Sequence, residues 1–236
     1  MENPWISIGE NPPFIAECDR AILDEQHIAK YQLRSEVLPH AWIGDPRSAT
    51  ALLLQLNPGF AESDVVEEAK IVAYRPTVQQ NLQLRGESRF WALDDELRET
   101  GAAKWWRARL RRLLDTAGEE TVRRRLAMVE YFPYHSVGYV WPPRLPSQNF
   151  GFALVRSAVS RGATIVVMRQ WESWRAAVPD LIGYEGTFIN PHPRQAAISL
   201  ANLGPEAWGS LVEALTTGSR PVQRGTSSDG PASILE

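Results

Sequence analysis

Residues 49–59 read Ala-Thr-Ala-Leu-Leu-Leu-Gln-Leu-Asn-Pro-Gly. The apolar run Ala49–Leu56 is too short for an ordinary globular helix. It breaks abruptly at Asn57-Pro58-Gly59, three residue types that favour turns, so it reads as a strand buried on both faces. The stretch beyond it changes period. Glu62–Tyr74 reads as a helix with acidic residues in its first turn, where the helix dipole favours them. The same alternation continues to the end of the core. Lys104–Ala117 is amphipathic, with Trp106, Leu110, Leu113, Leu114 and Ala117 on one face and arginines on the other. Leu126–Phe132 is a second strand, ended by Pro133. Phe150–Arg161 is a helix stopped by Gly162, Ala163–Arg169 a third strand, and Gln170–Ala177 a short helix stopped before Pro179. Thr187–Ile189 is a fourth strand, ended by Asn190-Pro191, and Pro205–Leu215 is a closing helix with Trp208, Leu211, Val212 and Leu215 on one side. Strands alternating with helices imply an α/β fold of three α/β/α layers around a central, mainly parallel four-stranded sheet.

Composition agrees with one such domain. Of 236 residues, 44% are hydrophobic and 22% charged, a balance that buries a core and excludes a disordered, collagen-like or disulfide-stapled chain. Residues 1–216 are expected to form the domain, with 1–34 an irregular and helical N-terminal arm. Gly, Pro, Ser and Thr supply eleven of the last twenty residues, so 217–236 reads as a disordered tail. The single cysteine, Cys18, excludes an internal disulfide, a cysteine zinc site and an iron–sulfur cluster. No charged-then-apolar leader opens the chain and no apolar run is long enough to span a bilayer, so a cytoplasmic protein is expected. The net charge of −3 gives no nucleic-acid signal. Residues 101–125 carry eight basic against three acidic residues, a stripe that can meet phosphates or be a solvated helix face. Nine tryptophans suit a core, and exposed ones can stack on bases.

Ligands of open parallel sheets bind at the carboxyl ends of the strands. Three strand candidates end there in polar, proline-punctuated turns: Leu56-Asn57-Pro58-Gly59-Phe60, Glu130-Tyr131-Phe132-Pro133-Tyr134-His135-Ser136, and Asn190-Pro191-His192-Pro193-Arg194-Gln195. All three can converge on one mouth.

Leu-Asn-Pro-Gly after a buried strand, with Asn-Pro-x-Pro-Arg after the last strand, resembles the uracil-DNA glycosylase superfamily. The Asn-Pro-Gly form is most similar to its mismatch-specific uracil and thymine branch. The resemblance implies a fold that flips a base out of DNA and hydrolyses its N-glycosidic bond, with no metal or other cofactor, with DNA as partner and no obligate protein partner. By it, Asn57 orients the attacking water. An amide does this through its carbonyl oxygen and takes no proton at neutral pH. Asn-Pro-Gly is also a common turn in its own right. Gly59 falls where uracil-specific members carry a Tyr that walls off the pyrimidine C5, so a glycine there admits a C5 substituent; a glycine can also serve a positive φ. Phe60 or Tyr74 can stack on the flipped base or pack in the core.

Glu130 departs from the family, which places an Asn there to read the pyrimidine edge. An ionised Glu only accepts hydrogen bonds, so it repels a uracil O4 and suits the N4 amino group of cytosine. A protonated Glu donates to O4 instead, and an exposed or salt-bridged Glu is the third possibility. Gly59 and Glu130 together imply a cytosine with bulk at C5, a modification found in viral DNA, and hence a defensive role against phage. Asn190, as in the mismatch branch, is implied to hold phosphates or the base O2, with His192 a further donor for the departing base. Arg194, with Gln195 beside it, falls where the family inserts a wedge into the vacated stack. His135 and Ser136 receive no step. A Ser-His hydrolase is disfavoured, because no Gly-x-Ser-x-Gly elbow precedes a helix. Uracil or mismatched thymine as the substrate, or a silent DNA-binding module on the same fold, are the alternatives.

Overall fold

The computed structural model describes residues 1–195 and 197–218. Five strands form one sheet: β1 (Trp42–Ile43), β2 (Ala51–Gln55), β3 (Leu126–Glu130), β4 (Thr164–Val167) and β5 (Thr187–Ile189). Their order is β1-β3-β2-β4-β5. All neighbours pair in parallel except β1, which runs antiparallel to β3 at the edge. Among the described residues there are also eight α-helices: α1 (Glu25–Lys30), α2 (Glu62–Lys70), α3 (Tyr74–Leu82), α4 (Gly101–Ala117), α5 (Glu119–Arg125), α6 (Gln148–Ser160), α7 (Trp171–Ala177) and α8 (Leu200–Thr217). Every residue of β2, β3 and β4 is buried. That is possible only if helices cover both faces, and the three-layer α/β/α arrangement follows.

The sheet has five strands where the sequence predicts four. The fifth, β1, is two residues long, too short for any periodic signal. It is held by pairing with β3 and by Trp42, whose Nε1 donates to the Asn81 carbonyl of α3 at 2.9 Å. The helix predicted over Glu62–Tyr74 is two helices. α2 ends at Lys70 with Ile71 in an extended conformation, and α3 starts at Tyr74 with Pro76 in its first turn, where a missing N–H costs nothing. The closing helix begins at Leu200, ahead of the predicted Pro205. Gly204, at φ 78° and ψ 166°, breaks it into a leading turn and a main segment.

The N-terminal arm is irregular apart from a short 3-10 turn at Glu17–Asp19 and α1, and it packs on the domain through the fully buried Trp5 and Phe14. Five of the eight basic residues of the stripe find partners within the chain. Arg107 pairs with Glu119, Arg123 with Asp94, Arg124 with Glu120 and Lys104 with Glu99, while Arg125 caps the last carbonyls of α8. Most of the segment read as a tail, from residue 219 on, lies outside the described residues. No helix among the described residues is long and apolar enough to cross a membrane.

Candidate functional site at the carboxyl ends of the strands

The parallel strands leave their carboxyl ends on one rim of the sheet, and the three predicted turns meet there. The first two are joined directly. Asn57 Nδ2 donates to Ser136 Oγ and to the Pro58 carbonyl, each at 2.9 Å. A carbonyl can only accept, so the group facing Pro58 is the NH2, and the planar amide therefore turns Oδ1 the other way. His135 adds a second tie, its ring Nδ1 lying 2.6 Å from the Gly59 carbonyl. The same argument puts the proton on Nδ1. The third turn joins through a cleft of about 480 Å³ lined by Leu56, Arg169, Gln170, Pro193 and Arg194. Gln170 on its wall is held in the left-handed region at φ 57°, a conformation that costs free energy in a non-glycine residue.

Glu130, the last residue of β3, is buried, and its Oε2 has no hydrogen-bond partner. Burial raises its pKa well above the usual carboxylate value of 4.5, opposed by the positive charge of Arg169. Of the three states considered for Glu130, exposure is therefore corrected: the side chain is inside, and its environment favours the neutral acid. Its register partner on β2 is Gln55, also buried and with an unpartnered Nε2. A third unpartnered buried atom is the Tyr139 hydroxyl, whose pKa is raised by burial, then by Tyr131 and Glu130.

The other predicted residues divide. Gly59 is exposed, a Cβ built on it meets nothing within 4 Å, and its φ is not positive, so the left-handed alternative is corrected while the open space stands. Phe60 is half-buried, with the Arg34 guanidinium 4.1 Å from its ring centre. Tyr74 goes to the core. It is 4% exposed, packed edge-on to His40 and Trp91, with its hydroxyl 3.2 Å from His40 Nε2, and so has no open face for a base. Asn190 is buried, and its amide holds the third turn together: Nδ2 donates to the His192 and Gln195 carbonyls, and Oδ1 accepts from the His192 N–H. Its amide therefore positions His192, where the resemblance implied contact with phosphate or O2. His192, Arg194 and Gln195 are exposed.

Behind the site, His135 packs against His40 with ring centres 4.5 Å apart, and burial lowers the pKa of both rings. Both are thus held neutral. Among the described residues no three of His, Cys, Asp or Glu gather closely enough to hold a metal ion. Sequence reasoning missed Gln55, Tyr139 and Arg169. The one available signal was Gln55 itself, a polar residue inside the apolar run Ala49–Leu56. Comparison with known protein families, curated proteins and solved structures finds no match to this chain.

Proposed function

We propose that this protein is a monofunctional DNA glycosylase that hydrolyses the N-glycosidic bond of a flipped-out pyrimidine and leaves an abasic site. The observation that carries the reading is the orientation of Asn57. Its amide nitrogen is fixed by Ser136 and the Pro58 carbonyl, so Oδ1 is left as the acceptor end of a held amide in the first strand-end turn. An acceptor in that place aligns a water for attack on the anomeric carbon of the sugar. The water oxygen bonds to that carbon as the carbon–nitrogen bond breaks, the electron pair leaves with the base, and the proton lost by the water passes through solvent to the departing base anion. Because an amide cannot take that proton, rate enhancement comes from positioning and from donors to the departing base, a part we give to the exposed His192 of the third turn.

The substrate class follows from Glu130 and Gly59. The open space over Gly59 supports a C5 substituent, and a cytosine so modified is the preferred substrate, with defence against phage carrying such DNA as the setting. The burial of Glu130 favours a second reading. A neutral carboxyl offers one donor and one acceptor, which pair with N3 and the N4 amino group of cytosine, and equally with O4 and the N3–H of uracil or thymine. Arg169 pulls toward the carboxylate, which accepts only from an amino group.

A base-release assay separates these readings. The oligonucleotides carry uracil, a G·T mismatch, cytosine, methylcytosine, hydroxymethylcytosine or glucosylated hydroxymethylcytosine. Release confined to C5-modified cytosine is the expected result. Release of uracil or thymine alone moves the substrate to the second reading. Asn57→Ala is expected to lower turnover by about a hundredfold or more while leaving DNA binding intact. No release from any substrate, with tight DNA binding that Asn57→Ala leaves unchanged, identifies a silent binding module instead.

A further inference from the structure

Gln55 belongs to no motif, yet it ends β2 at the carboxyl rim of the sheet, opposite Glu130. It and Glu130 are Cα partners across β2 and β3, and in-register partners of a parallel ladder project to the same face. They are 5% and 8% exposed. Gln55 Nε2 and Glu130 Oε2 are both buried without a hydrogen-bond partner. The backbone of Gln55 is firmly held, its carbonyl accepting from Trp174 Nε1 at 2.9 Å and from the Tyr131 N–H at 3.2 Å. The side chain is thus an unsatisfied donor on a fixed backbone, with an unsatisfied carboxyl at the paired position of the next strand. Buried polar groups are rarely left so, and two together at the ligand-binding rim make a matched pair for something outside the chain.

The geometry points to Gln55 as a second specificity-determining residue of the base pocket: its Nε2 donates to a ring nitrogen or carbonyl of the same base whose N–H is taken by Glu130. This rests on the glycosylase reading in taking the ligand to be a base. The class of ligand is a planar heterocycle with an acceptor and a donor on one edge. In a cytosine the N4 amino group goes to Glu130, and N3 or O2 receives Gln55. Those same acceptors collect the electron pair as the glycosidic bond breaks, so the Gln55 hydrogen bond strengthens toward the transition state. The Asn190 amide is tied to its own turn, so Gln55 is the buried amide placed to do this.

Gln55→Leu in the full chain tests the inference, with Gln55→Met as a second variant that keeps a flexible unbranched side chain. Three quantities are measured: thermal unfolding, calorimetric binding of free cytosine, 5-hydroxymethylcytosine and uracil, and single-turnover base release. The expected result is an unchanged or raised Tm, binding of free base weakened about tenfold or more, and a fall in the single-turnover rate constant larger than any loss of DNA affinity. A clearly lowered Tm in both variants makes Gln55 a structural residue and overturns the inference. Unchanged free-base binding overturns it too, as does a wild-type protein that binds none of the three bases. If no DNA releases a base, the glycosylase reading fails, and the free-base titration still decides the role of Gln55.

Discussion

Asp19 and Glu130 are both carboxyls inside this protein, 0% and 8% exposed, and they are housed in opposite ways. Asp19 accepts a hydrogen bond from the Tyr134 hydroxyl at 2.7 Å and from the Ser147 N–H at 3.0 Å, with the Cys18 thiol at 3.6 Å. The Tyr134 hydroxyl in turn accepts from the Ala16 N–H. That network ties the N-terminal arm to the start of α6. Glu130 has no such donors: Oε2 is bare, the neighbouring Gln55 Nε2 and Tyr139 hydroxyl are bare as well, and Arg169 acts on it only through its charge. A carboxyl that the fold uses arrives with its donors in place. Glu130 has none, as the proposed role in reading a base requires.

The largest effect should come from breaking the satisfied network. Asp19→Ala leaves the Ser147 N–H without its acceptor and the Tyr134 hydroxyl without its carboxylate, and should cost about 3 kcal/mol or more, read from denaturant unfolding. Glu130→Gln should go the other way. A folded-state pKa raised above 4.5 means that the native chain binds more protons than the unfolded one between those two values, so stability falls as pH rises through that window. The glutamine variant should therefore be more stable than wild type at neutral pH. The gain should vanish as pH falls below the ordinary carboxylate range. Unfolding curves at about pH 4 and about pH 8 check the sign; equal losses in both variants would erase the contrast between the two carboxyls. Gly59→Tyr should have the smallest effect on folding, within about 0.5 kcal/mol, because a Cβ there meets open space at an ordinary φ. Its effect should fall on selectivity: release of a C5-substituted base lost, with an unsubstituted base still accepted, in the same base-release assay.

The rim of the sheet was more legible than its interior. Asn57, Glu130 and the third turn stand out in sequence because strand ends are marked by prolines and asparagines, whose conformational bias is local. Tyr74 was not placeable. An aromatic residue near a helix start suits a base or a core equally, and its burial against His40 and Trp91 depends on residues far away in the chain. The same holds for Asn190, whose residue type suits a ligand contact but whose amide is used by the turn around it. Ser136 carried no assignable step because its part is to hold Asn57, 79 residues distant in sequence.

By itself the sequence determined the three-layer α/β class, the positions of four of the five strands and the polar turns that end three of them. Short apolar runs, helical periodicity and turn chemistry are all written in neighbouring residues. Only the tertiary structure decided the fifth strand, the break before α3, and which polar groups share a buried space. Those depend on register: once β2 and β3 pair with Gln55 opposite Glu130, an amide and a carboxyl are confined side by side. Slipping that register by one residue would turn one strand's side chains to the other face and part them.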